Sequence, residues 1–323
     1  MILITGGTGF LGSTLIRLHI HAGIDVVATK RPSSSIPLDL QAHKNIHWID
    51  ADLNNYFDLQ EAFLGITQVY HCAAAISYQK KEAALLQKIN VLGTANLVNI
   101  CLAQQVRLVH VSSIAALGKN NQGLPVSETD KWEYERSISN YARSKYEGEM
   151  EVWRGIAEGL DAVIVNPSLI IGAQAPAHGT AAIFNKLQQG LSYYPSGSIG
   201  LVDVEDVAKI MMLLMANTSI TAQRYIINNI NISYGEFLQQ AAAAMQAQVP
   251  QKIVSAKALL FIAKLAEVKA FFTNSKPDLT PETARAASSS LAYSNAKLVK
   301  LLGYQFKPLA QTLSEISSTL KHI

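Results

Sequence analysis

The sequence predicts an α/β protein built on a doubly wound parallel sheet, with a smaller, mostly helical C-terminal substrate region. Three observations predict it. Short apolar runs suited to buried strands alternate with helix-periodic segments up to residue 172. Gly6, Gly9 and Gly12 fall at GxxGxxG spacing between the first such run and the first helical pattern. Hydrophobic residues make up 49% of the 323 and charged ones 16%, enough apolar surface for a large core.

Ile2-Leu3-Ile4 is the first strand, and Leu11, Leu15, Ile16 and Leu18 follow at helical intervals. The three glycines therefore sit at a strand-to-helix turn. There the backbone can turn tightly and approach a diphosphate resting on a helix N-terminus, which marks a dinucleotide site. Residues 24–29 form a second strand whose tip carries Lys30 and Arg31 and no acid before Asp39. An acid at that tip selects the free ribose 2′-hydroxyl and a cation accommodates a 2′-phosphate, so NADP(H) is favoured over NAD(H). Residues 47–51 suit a third strand ending at Asp52, whose carboxylate can either meet an adenine amino group or cap the helix over 55–64. A fourth strand over 68–74 ends in small residues that suit a flat cofactor and ordinary packing alike.

A long helix over 81–103 carries Leu85, Ile89, Leu92, Leu97, Ile100 and Cys101 on or near one face, with Asn90 as a polar bridge. The fifth strand, 106–111, ends in Ser112-Ser113, and a polar loop runs over 117–140. Tyr141 and Lys145 then open a helix reaching about residue 157 and lie one turn apart on one face. A sixth strand covers 163–165. Beyond Gly172 the pattern loosens to an extended piece over 201–204, a helix over 207–215 and a strand over 224–228. Helices over 234–245, 256–272, 280–287 and 309–320 follow. The expected division is a dinucleotide-binding domain over 1–172, with 200–228 returning to it, and a substrate domain over 173–323.

Net charge is +3 with Lys and Arg spread along the chain, so no nucleic-acid partner is expected. Cys72 and Cys101 lie in apolar segments and read as buried, reduced thiols. No metal site is expected. Residues 258–263 are apolar but too short to span a bilayer and are flanked by Lys257, Lys264, Glu267 and Lys269, which reads as a packed helix or one beside an apolar pocket. With the glycine loop starting at Gly6, no secretory leader and a cytoplasmic location are expected.

Several stretches carry a family resemblance: TGGTGFLG (5–12), INVLGTANLV (89–98), HVSSIAALG (110–118), YARSKYEGE (141–149), VNPSLIIG (165–172) and LVDVEDVA (201–208). The tail segments LTPETARAAS (279–288) and YSNAKLVKLLGY (293–304) add to it. The chain resembles the extended short-chain dehydrogenase/reductases, which carry a Rossmann fold, and within them the dihydroflavonol 4-reductase-like and 3β-hydroxysteroid dehydrogenase-like branch. The resemblance implies that Tyr141 exchanges a proton at the carbonyl oxygen and that Ser113 orients that oxygen. It implies that Lys145, with the positive nicotinamide ring, favours the phenolate and also bonds the nicotinamide ribose. Thr8, Gly9, Phe10, Leu11, Asp52, Leu53, Ala73, Ala74, Ser112 and Pro167 carry over as cofactor contacts. A homodimer through the helices holding Asn90 and Tyr141 is implied as well.

Two departures bear on the substrate. Where nucleotide-sugar epimerases and dehydratases carry an Asn and an Arg for the diphosphate, this sequence has Leu169 and Ile199. The segment 155–208 supplies Lys186 as its one cation before Ala208. The expected activity is therefore NADPH-dependent reduction, or the reverse oxidation, of a small-to-medium hydrophobic ketone or aldehyde. The alternatives are an NDP-sugar epimerase or dehydratase, and a non-catalytic NADP(H)-binding module. Ile183, Phe184, Leu187, Tyr78, His178 and Tyr193 are candidates for the substrate side.

Overall fold

The computed structural model describes residues 1–120, 122–135, 138–175, 179–273, 275, 277 and 279–320. The strands are β1 (Ile2–Thr5), β2 (Val26–Lys30), β3 (Ile46–Asp50), β4 (Gln68–His71), β5 (Arg107–Val111) and β6 (Ala162–Pro167). They continue with β7 (Leu169–Ile171), β8 (Tyr193–Pro195), β9 (Ser198–Asp203), β10 (Gln223–Ile227), β11 (Ile230–Ser233) and β12 (Lys252–Val254). The first helices are α1 (Phe10–His21), α2 (Tyr56–Glu61), α3 (Ala83–Leu86), α4 (Gly93–Gln104) and α5 (Asn140–Ala157). Then come α6 (Ala181–Gln188), α7 (Val204–Ala216), α8 (Tyr234–Met245), α9 (Ala256–Thr273), α10 (Pro281–Ala287), α11 (Ala296–Leu302) and α12 (Leu309–Leu320).

Seven strands form one parallel sheet in the order β10-β6-β5-β4-β1-β2-β3. Alternate side chains go to opposite faces, as the strand period of two requires. Ile2, Ile4, Val26, Ala28, Val163 and Val165 pack under α1 and α7 with Leu15, Ile16, Ile210 and Met211. Leu3, Val27, Ala162 and Ile164 pack on the other face with Leu59, Leu97, Val98 and Val152 from α2, α4 and α5. Both faces are covered, so the central strands read as continuous apolar runs.

A third core lies in the C-terminal half, where Phe184, Phe237, Leu238, Leu313 and Ile316 pack beside a small sheet ordered β11-β9-β7. Of residues 200–228, α7 and β10 lie on and in the large sheet. The extended piece Ser198–Asp203, by contrast, pairs with Leu169–Ile171 and Ile230–Ser233 in the small one.

The long helix departs from the expected stripe. A π-helical segment, Gln87–Leu92, separates α3 from α4. Its wider turn shifts the phase of the residues before it. Leu86 and Val91 are therefore buried, while Leu85 and Leu92 face outward. The run Lys80–Gln104 is long and apolar enough to cross a membrane, but half of that window is buried within the protein. α9 also departs: Ala263 and Ala270 are buried, whereas Phe261, Ile262, Leu265 and Val268 are exposed. Within 258–263 the helix packs through Ala263, leaves Leu259 and Leu260 half-buried, and turns Phe261 and Ile262 outward.

Candidate active site

The C-terminal ends of parallel strands lie along one edge of a sheet, and that edge collects most of the expected residues. β1 delivers Gly6, β2 Lys30 and Arg31, β3 Asp52, β4 Ala73, β5 Ser112 and Ser113, and β6 ends at Pro167. Gly6 has φ +69°, and a Cβ there would sit 2.8 Å from the backbone of Ala73. Glycine thus brings the loop against the end of β4. A Cβ on Gly12 would lie 2.2 Å from the Gly6 carbonyl oxygen, so only glycine lets α1 start so close to its own loop. The Gly9 N–H donates to that same carbonyl at 2.9 Å.

α1 begins at Gly9 without a side-chain cap and with no acid in its first turn. Its leading N–H groups and dipole therefore face an anion's place uncontested. Thr8 and Phe10 are half-buried around the loop, and Leu11 is buried in the first core. Leu53 is buried against Gly93, where a Cβ would lie 2.8 Å away. Ala74, by contrast, is exposed. Asp52 Oδ1 accepts from the Asn54 N–H at 2.9 Å and from its Nδ2 at 2.8 Å. Those bonds hold its carboxyl below the usual range, with Lys88 and Arg31 nearby adding to the effect.

Lys30 and Ser112 have other partners than the cofactor contacts expected of them. The Lys30 ammonium is paired with Asp50 on the neighbouring strand β3, because parallel register sets the two side by side. Arg31, next to it at the tip, is exposed. The Ser112 hydroxyl donates to Glu149 at 2.6 Å, into the protein.

The residues expected to handle the proton sit between β5 and α5. Ser139 caps α5 by accepting from the Ala142 N–H at 3.0 Å, which places Tyr141 in the first helical turn. Burial, reinforced by Tyr78, drives the Tyr141 phenol well above its usual pKa, and the neighbouring Ser113 side chain only partly opposes the rise. Without a bound nicotinamide, Tyr141 is therefore a firmly protonated acid.

Lys145 is buried, and its Nζ donates to the Val111 carbonyl at 2.8 Å. Burial lowers its pKa to about 8, with Glu149 and Cys72 pulling the other way. Its tether is the end of β5, one residue before Ser112.

Glu149 completes this helix face and escaped the sequence reading. It is fully buried, and its Oε2 accepts from Ser112 and, at 2.8 Å, from Asn166 Nδ2. Oε1 accepts from Arg224 at 3.0 Å and Trp153 at 3.2 Å. Tyr141, Lys145 and Glu149 recur every four residues, and that period was the available signal. Asn90 bridges, as its place on the helix suggested: its amide exchanges bonds with Ala75 at 2.7 and 2.9 Å and donates to Ser144 at 3.0 Å.

On the substrate side, the Tyr78 ring lies 5.5 Å from that of Tyr141. Tyr234, from the start of α8, and Glu282, on α10, are close enough to Tyr78 for their charges to couple with it. Burial pushes the Tyr234 phenol up to about 12. Burial also raises the Glu282 carboxyl, against the nearby Lys80 and Arg285, and its Oε2 is buried with no partner among the described residues. Neither residue carries a local sequence signal, since each arrives from a distant helix.

Phe184 and Leu187 belong to the third core, because α6 turns its apolar face to α8, and Phe184 also lines a small cavity with Gly172, Ala181 and Ile316. Tyr193 is exposed under Lys252, and His178 lies outside the described residues. Both thiols are raised by burial, Cys72 to about 12, so neither is a thiolate nucleophile at neutral pH.

The sequence matches the model of the NAD dependent epimerase/dehydratase family over residues 2–230. The chain belongs to that family. Among its relatives, a Synechocystis sp. protein provisionally named a dihydroflavonol 4-reductase is 31% identical over 97% of this chain and 92% of its own. The cinnamoyl-CoA reductase CAD2 of Medicago truncatula is 28% identical over 84% of this chain and 89% of its own. The crystal structure of gox2253 superposes with TM-score 0.84 at 27% identity, covering 100% of this chain and 98% of that one. The protein is an NAD(P)-dependent oxidoreductase of the extended short-chain dehydrogenase/reductase type. The glycine loop, the uncapped α1 and the close approach of Ala73 fit a dinucleotide diphosphate.

Proposed function

We propose that this family member is an NADPH-dependent reductase of a hydrophobic ketone or aldehyde. The observation that carries the reading is the Tyr141 phenol set beside the Ser113 side chain, with Lys145 buried one turn along the same helix. The dinucleotide, when bound, supplies the hydride. Ser113 orients the substrate's carbonyl oxygen, and Tyr141 hands that oxygen its phenolic proton. The resulting phenolate is short-lived, and the ammonium of Lys145 favours it while it lasts.

The apolar character of the substrate rests on Leu169 and Ile199, which are half-buried beside the third core where nucleotide-sugar enzymes hold polar residues. The half-buried Glu282 carboxyl adds a further obstacle to a diphosphate. The glycine edge of the first 172 residues serves the cofactor, and the helical remainder closes over the substrate. A cytoplasmic homodimer belongs to the same reading. The family's epimerase and dehydratase members keep the nucleotide-sugar alternative as the one to exclude.

One experiment tests both halves. Tyr141→Phe should lower turnover of a carbonyl series by ~10²–10⁴-fold and leave NADPH binding intact. In the parent, affinity should rise as alkyl or ring surface is added, at ~25 cal/mol per Å² removed from water. Calorimetry showing micromolar binding of a UDP-sugar to NADPH-loaded protein would replace the reductase reading with the epimerase one.

A further inference from the structure

Among the described residues, α9 turns a run of large apolar side chains outward. At about 100° per residue, Phe261, Ile262, Leu265, Val268 and Phe272 fall within one arc of about 120°. Phe261 is 63% exposed, Leu265 53%, Val268 55% and Phe272 80%. The opposite arc holds the buried Ala263 and Ala270, and α9 packs against α10. The fully buried positions are alanines with Leu259 and Leu260 half-buried beside them, while the largest apolar residues of the other face are exposed. A contiguous patch of this kind is rare on a monomer without a partner.

The charges say what kind of partner. Lys257 and Lys264 edge the apolar arc on one side and Lys269 falls just inside its other edge, next to Ile262, all three exposed. Glu267, the only acid of the helix, falls on the far side. A second copy docked on this face about a two-fold axis would set lysine borders against lysine borders with no acid between them. An anionic lipid surface answers both features: acyl chains take the large side chains and headgroups take the lysines.

We propose that α9 is a membrane-surface docking helix that lays this face into the headgroup region of an anionic bilayer. Its eighteen residues, with four charges, lie on the surface and do not span it. The site it flanks is reached through α10, which carries Glu282 beside Tyr78. Docking therefore places the substrate cleft next to a reservoir of hydrophobic compounds. The proposal stands on the exposed face alone and holds whatever carbonyl the enzyme reduces.

The full chain would be sedimented with phosphatidylcholine vesicles with and without phosphatidylglycerol. Binding to the mixed vesicles is expected, weaker binding to phosphatidylcholine alone, and a loss of about fivefold for each of Lys264→Glu and Lys269→Glu. The double variant Phe261→Glu/Leu265→Glu should lose vesicle binding and keep NADPH affinity, which shows that it is folded. Failure of the parent to sediment, or equal sedimentation of parent and double variant, overturns the proposal. So does a concentration-dependent oligomer in light scattering that the double variant abolishes, since the face then serves a second copy.

Discussion

At the scale of single residues, the site is a set of charges placed where burial and pairing decide their state. Lys30 is paired with Asp50, and the proposed preference for a 2′-phosphate rests on Arg31. A charge-assisted bond is worth ~1.5–3 kcal/mol, so Arg31→Ala should weaken NADPH by roughly ten- to a hundredfold and leave NADH nearly unchanged. Equal losses for both, measured by fluorescence titration, would remove the NADP(H) preference. Lys145 makes a second, pH-dependent prediction. Its pKa falls to about 8 in the folded protein, while an unfolded lysine holds its proton to ~10.4. Below pH 8 both states are charged, and burying the ammonium costs its full penalty. Between the two values the unfolded chain binds more protons, so stability rises with pH across that window. Lys145→Met should therefore raise the Tm at pH 7, flatten that rise toward pH 9, and abolish turnover. Melts of parent and variant with the same pH slope would show that Lys145 bears no such penalty.

At the scale of elements, the sandwich of α4 and α5 sets the site by close contact. A Cβ on Gly148 would lie 2.2 Å from the Asn90 carbonyl oxygen, and one on Gly155 2.5 Å from Val98. These glycines let α5 lie directly on the π-segment that holds Asn90 and on α4. The same segment turns Leu85 and Leu92 outward at 46% and 56% exposure, while Leu97 and Val98 face the sheet. A dimer through these helices would therefore use Leu85 and Leu92. Leu92→Glu should convert it to a ~35 kDa species in light scattering at micromolar concentration, with NADPH binding kept. A parent that is already monomeric there would discard the dimer.

At the scale of the whole molecule, the third core is fastened to the large sheet through the N-terminus of α7. Asp203 is buried, accepts from Thr312 on α12 at 2.7 Å, and lies 3.3 Å from Lys307 Nζ. Asp206 accepts from the Tyr304 hydroxyl and the Lys307 N–H, each at 2.9 Å. Removing one partner of a buried pair leaves a charge without compensation, at a cost of about 3–5 kcal/mol. Lys307→Met should approach the lower figure, because Thr312 remains on Asp203. The expected outcome is a lower denaturant midpoint and a raised KM for the carbonyl, with NADPH affinity unchanged. An unaltered midpoint would mean that the fastening carries no stability.

The sequence by itself determined the alternating sheet, the strand-to-helix glycine turn and the Tyr141/Lys145 face, because each is written in short-range periodicity. Strand period, helix period and glycine spacing are local properties, and burial on both faces leaves them little freedom. The family stretches located Ser113 by the same local logic. What only the tertiary structure decided involves partners distant along the chain. Lys30 and Asp50 meet because β2 and β3 pair in register, and Ser112 turns to Glu149 because α5 crosses the end of β5. The π-segment reversed Leu86 and Leu92 against a helical wheel, since one wider turn is invisible to a fixed period. Tyr234 and Glu282 reach Tyr78 from α8 and α10, and α9 faces outward because the alanines, not the large side chains, fit against α10. Hydrophobicity along a chain sets how much apolar surface there is, whereas close packing between distant elements selects which part of it is covered.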